Sequence, residues 1–164
     1  MTTSLWSSSA EAAWAACWAR YDAVLQSVQK SELAALDGWY LASYPPILTA
    51  REPEPHTTQR ELQRLMEWKL KKGKWRPQLM KFVSALSEDE VKRASLDAFQ
   101  ELKRGDLRAA TEALCVLKGV HDYCGLLFLA ATFLQVGPAT ASAVLAAYDA
   151  SVPFMADEAL EAIA

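Results

Sequence analysis

Lys69, Lys71, Lys72, Lys74 and Arg76 place five cations within eight residues, with no acid among them and with Trp68 and Trp75 interleaved. Cations at this density neutralise phosphates, and an exposed indole, Trp75 foremost, offers a face on which a base stacks. The same run also fits a solvated helix end favoured by the macrodipole, with both tryptophans turned inward. A second group comprises Leu117-Lys118-Gly119-Val120 and, further on, Val136-Gly137-Pro138-Ala139-Thr140-Ala141-Ser142-Ala143-Val144-Leu145. Gly119 and Gly137 suit a tight turn whose backbone excludes a Cβ, and amides there, with the N-terminus of the next helix, receive a phosphate. Pro138 fits the first position of that helix, where its missing N–H costs little. Gly119, Val136, Gly137, Ala139 and Thr140 are therefore candidate contacts to a nucleic-acid backbone.

Joining Gly119 directly to Val136 yields an unbroken helix-hairpin-helix signature, so residues 120–135 read as an apolar insertion that cuts the motif open. The joined segment, followed by Val152-Pro153-Phe154-Met155-Ala156-Asp157, resembles the helix-hairpin-helix DNA glycosylase superfamily. In that family a hairpin, a second helix, a proline-containing loop and an aspartate occur in this order. The resemblance implies that Asp157 stabilises the cationic sugar that develops as a flipped base leaves. The alternative is that Asp157 caps a last helix holding Glu158, Ala159, Leu160 and Ile163. Ala139 stands where bifunctional members carry a Schiff-base lysine, so the implied reaction is monofunctional base excision with water as nucleophile. Family members continue with helices that buttress the aspartate, whereas this sequence ends at Ala164, which implies a truncated pocket. Together with the basic run, the hairpin resembles a little-characterised eukaryotic Amun-like group within the superfamily, which implies a nuclear protein whose partners are DNA and other nuclear proteins. The reading from a different class is a non-enzymatic chromatin or protein-interaction module that keeps the fold without the chemistry.

Two origins fit the insertion. Every valine codon begins with GT and one glutamine codon is CAG, so the codons of Val120 through Gln135 read as an intron retained in frame. A natural loop insertion is the other. Sequencing mature messages separates them.

Composition limits these readings. The chain has 164 residues, a net charge of −3 and a pI near 5.4, so a nucleic-acid site must be local rather than spread over a basic body. Cys17, Cys115 and Cys124 form no disulfide framework and no zinc spacing, which points to a reducing compartment and no metal. His56 and His121 have no partner that would assign them to metal or acid–base work, and no cofactor is expected. Met1 to Trp6 lacks a charged region ahead of an apolar one, and the apolar run 126–134 is too short to span a bilayer. A soluble intracellular protein without a membrane partner is the expectation.

Helical spacing of apolar residues prevails and strand alternation is absent, which predicts an all-α, irregular multi-helix bundle of one domain. Residues 1–43 read as N-terminal helices, 44–57 as a proline-rich loop, and 58–164 as the glycosylase-like region. Trp14, Trp18, Tyr21 and Leu25 share a face of a helix over residues 10–29, predicted to turn toward the core, the alternative being an aromatic platform on which bases stack. Leu33, Leu36, Trp39 and Tyr40 mark a second helix. Thr58 with Glu61 and Ser87 with Glu90 have capping-box spacing, Pro77 opens a helix, and Gly105-Asp106 ends one helix and starts the next.

Overall fold

The computed structural model describes residues 8–28, 30–117, 136–156 and 159. Helices are the only regular secondary structure among them. They are α1 (Glu11–Trp18), α2 (Tyr21–Ser27), α3 (Ser31–Gly38), α4 (Tyr44–Thr49), α5 (Gln59–Lys72), α6 (Pro77–Ala85), α7 (Glu88–Lys103), α8 (Leu107–Cys115) and α9 (Pro138–Tyr148). The multi-helix bundle expected from the spacing of apolar residues is present. Gly119, Asp157, His121, Cys124 and the insertion lie outside the described residues.

The start signals hold as read. Thr58 caps α5 and Ser87 caps α7 by reciprocal capping boxes with Glu61 and Glu90, and Pro77 and Pro138 open α6 and α9. Gly105 ends α7 at φ 85°, a left-handed conformation that side chains with a Cβ rarely adopt. Asp106 then accepts from the Ala109 amide and starts α8, so α7 and α8 form an antiparallel pair.

Two expectations are corrected. The helix over residues 10–29 breaks at Ala19-Arg20, and its aromatic stripe does not reach the core. Trp14 is 38% and Trp18 63% exposed. The break redirects the chain, so only Tyr21 and Leu25 approach the body of the protein, Leu25 as a partly buried flank of its core.

The second correction concerns residues 44–57. Tyr44–Thr49 is helical despite Pro45 and Pro46, and it follows α3 without interruption through a π-type turn, Trp39–Ser43. A proline ring inside a helix clashes with the carbonyl four residues back. Here the Tyr44 amide donates to the Trp39 carbonyl five residues back, and this wider turn precedes the prolines. Packing holds the arrangement, because Tyr44 and Leu48 have no exposed surface and the Tyr44 hydroxyl bonds Thr57 Oγ1 at 2.8 Å. The irregular chain resumes after α4.

The core joins α3 through α9, with α6 contributing Phe82 and Val83. Its centre is aromatic: the Tyr40 ring stacks on Trp68 at 3.7 Å and Trp39 stacks on Tyr44 at 4.7 Å. Asp37 lies among these rings at 1% exposure. Its carboxylate accepts from Trp68 Nε1 at 2.8 Å, from the Tyr21 hydroxyl at 2.8 and 2.9 Å, and from Lys72 Nζ at 3.1 Å. Replacing Asp37 with Ala strands these donors and should lower stability by about 3–5 kcal/mol. Asp37→Asn keeps an acceptor and should cost less. Urea titration of both variants checks the order, and equal stability of Asp37→Ala and the native chain would contradict it.

The segment after α4 is tied down by Arg51, which forks onto both Glu61 carboxylate oxygens at 2.8 Å and donates to the His56 carbonyl. Burial raises the Glu61 pKa, but the Arg51 fork and the bonds from Thr58 outweigh it and hold the carboxyl below its ordinary range. A depressed folded-state pKa contributes stability above the ordinary carboxylate range, and the contribution is lost as pH falls through the folded value. Glu61→Gln should therefore destabilise by about 1–3 kcal/mol at neutral pH. The gap should close below about pH 4, as read from urea midpoints at both pH values. A gap that stays constant with pH would contradict this.

Candidate nucleic-acid interface

The basic run occupies the end of α5 and the turn into α6, where α5 stops at Gly73 and Arg76 adopts the extended backbone that precedes Pro77. The fold divides its cations into two sets. Lys71 pairs with Glu32 and with Glu67, and Lys72 pairs with Asp37 and donates to the Tyr21 hydroxyl. These two charges are compensated by acids of the protein, Lys71 at the surface and Lys72 at the edge of the core. Lys74 and Arg76 are exposed and Lys69 is half-buried.

The two tryptophans divide likewise. Trp68 is 1% exposed and is a core residue, whereas Trp75 is 52% exposed in the turn. Neither the fully outward nor the fully inward arrangement of the pair is found. Three residues apart along α5, Leu65 and Trp68 fall on its buried face, while Trp75 lies beyond the helix.

Lys69, Lys72, Lys74 and Arg76 line a cleft with Leu70 and Gly73, and its opposite side is Phe154 and Ala156. The fold thus brings the basic turn against the loop that leads into Asp157, two segments the sequence separates by about 80 positions. Phe154 reaches the cleft because its ring packs on Trp68 at 5.3 Å and on Tyr40 at 6.5 Å. The loop is held a second time through Ser142, whose Oγ accepts from the Met155 amide at 3.0 Å and donates to the Ala139 carbonyl. Leu70, Phe154 and Ser142 were not singled out from the sequence as site residues. A serine one turn into a helix, followed by a proline loop, is the one signal that could have flagged Ser142.

The hairpin residues are only partly available. Val136 and Thr140 are buried, and Gly137 and Ala139 are half-buried. The Val136 amide donates to the Leu117 carbonyl at 3.1 Å, so it is not free for a phosphate. Gly137 has φ −82° and ψ 169°, and a Cβ there would meet no described atom within 4 Å. The expectation that its backbone excludes a Cβ is corrected: Gly137 caps α9 in an ordinary extended conformation. In the first turn of α9 Pro138 has no amide hydrogen, and the Thr140 and Ala141 amides donate to the Gly137 carbonyl at 2.9 and 3.0 Å.

The bond between Leu117 and Val136 bears on the insertion. In a chain that passes from Gly119 directly to Val136, these become the first and fourth residues of a β-turn, with glycine third, where a type II turn requires it. The ends flanking residues 118–135 therefore already sit at turn-closing distance. A variant lacking residues 120–135 is expected to fold with α8 and α9 retained and with no loss of stability, since the short connection has the smaller closure entropy. Circular dichroism with urea denaturation checks it, and an unfolded or markedly weaker variant would contradict it.

Among the described residues no group of histidine, cysteine or acidic side chains could hold a metal ion, and no helix is long and apolar enough to cross a membrane. His56 Nδ1 contacts the Glu54 carbonyl in the segment after α4, remote in sequence from the cleft. Burial, and secondarily Glu112, pushes the Cys115 thiol pKa up, which makes it a poor nucleophile. Comparison with family models, curated proteins and solved structures finds no match to this chain.

Proposed function

We propose that this chain binds DNA through the cleft between the basic turn and the 154–156 loop, as a nuclear protein of glycosylase-like descent. The observation that carries the reading is the convergence of Lys69, Lys74 and Arg76 with Phe154 and Ala156 on one cleft. A net acidic chain that gathers cations, two of them exposed, beside an apolar surface has the local electrostatics a phosphate needs. Lys74 and Arg76 contact phosphates, and Trp75 stands beside them as a ring for stacking. Lys71 and Lys72 shape the turn instead of contacting DNA. The half-buried end of α9, with Gly137 and Ala139, flanks the site through Ser142 and Met155.

Monofunctional base excision is the finer form of this reading, with Asp157 stabilising the developing sugar cation. It rests on the family resemblance and on the anchoring of the loop immediately before Asp157. Asp157→Asn should abolish base release and leave DNA binding intact. The interaction module becomes the better reading where no DNA binds at all.

The test is fluorescence anisotropy with a labelled duplex across a salt series. Lys74→Ala and Arg76→Ala should each lower the slope of log affinity against log salt by about one unit. Lys71→Ala should leave the slope nearly unchanged. Equal effects at all three positions, or a slope near zero for the native chain, would contradict the assignment.

A further inference from the structure

Trp18 is the most exposed tryptophan among the described residues, and it is not isolated. Its ring stacks on Tyr21 at 5.0 Å with an interplanar angle of 12°. Tyr21 is in turn fixed by two bonds to the buried Asp37 carboxylate and by one from Lys72. The Lys72 ammonium lies 4.8 Å from the Tyr21 ring centroid and also lines the basic cleft. One ring contact and one cation–π contact thus connect the Trp18 indole to the cleft.

We propose that Trp18, backed by Tyr21, is a stacking platform for an unpaired base of single-stranded DNA whose phosphates lie in the basic cleft. This rests on the cleft being a DNA site, and it names the form of DNA the site prefers. Three features favour this occupant. The platform is linked to the cationic cleft through Lys72, which lines the cleft and lies over the Tyr21 ring, so a strand with a phosphate by Lys74 and Arg76 has the indole as the next surface for a base. The platform is preorganised, because Tyr21 is already held and only the base must be ordered on binding. The composition also fits: the face around Trp18 is apolar, formed with Trp14, Ala15 and Cys17, and its acids are Glu11 at the start of α1 and Asp22 beside Tyr21, the latter offset by the Lys72 ammonium over the Tyr21 ring. Duplex DNA keeps its bases stacked and has none to offer the indole.

The test compares the full chain with Trp18→Ala, Trp18→Phe and Lys74→Ala, using a labelled oligothymidine and a blunt duplex of equal length. Trp18 is exposed on a short helix, so circular dichroism should show all variants folded. Trp18→Ala should weaken oligothymidine binding by about 5- to 100-fold. Its duplex affinity should not change, and Trp18→Phe should recover most of the loss. Unchanged oligothymidine binding by Trp18→Ala, with a loss in Lys74→Ala, would overturn the platform and leave the cleft standing. Equal losses on both DNA forms would overturn the platform as well. Absence of binding to either DNA by the native chain would overturn both readings.

Discussion

A carboxylate buried at 1% exposure is tolerated only where donors replace the water it has lost, and Asp37 governs the structure through that requirement. Its donors come from two helices, Tyr21 from α2 and both Trp68 and Lys72 from α5, all meeting an acid on α3. Because each must reach the same two oxygens, the N-terminal helices are set against the end of α5. The indole of Trp68 is fixed in orientation, and its ring then stacks on Tyr40 and supports Phe154. The cleft wall opposite the basic turn is therefore placed by the same carboxylate that orders the core.

That carboxylate also engages one of the cations of the basic run. The run 69–76 holds five positive charges, but Asp37 takes Lys72 and the pair Glu32 and Glu67 takes Lys71. Pairs of this kind, half screened by solvent, contribute modestly to stability. Their larger effect is on charge placement. Lys74 and Arg76 stand exposed beside an apolar surface and an exposed indole, and on the proposed reading this is where an acidic chain offers a local site for phosphate.

The elements legible in the sequence were those with local chemical signals. Capping boxes at Thr58 and Ser87, prolines at helix starts and the glycine at 105 act within a few residues, so spacing alone reveals them. What was not legible depends on distant partners. Pro45-Pro46 reads as a break until the buried Tyr44 and its bond to Thr57 hold the helix through them. Trp14 and Trp18 have the spacing of a core stripe, yet a break at Ala19-Arg20, without a glycine or proline to announce it, leaves them outside. Of the site, the basic run was visible, but the engagement of Lys71 by Glu32 and of Lys72 by Asp37 depends on partners on another helix, distant in the sequence. Asp37 itself offered a hint, since it falls four residues after Leu33 on the buried face of α3, where an acid must find partners. No pattern in the sequence told that Phe154 would close the cleft.

The central claim is that the surface around residues 73–76 and 154–156 is where DNA is met. Titration of the isotopically labelled chain with a short oligonucleotide, followed by amide and indole N–H resonances, tests it most directly. The account predicts saturable, salt-reversible shifts at Gly73, Lys74, the Trp75 indole and Phe154, with the α7–α8 pair unmoved. Binding that leaves those resonances in place and shifts the α7–α8 pair instead would contradict it.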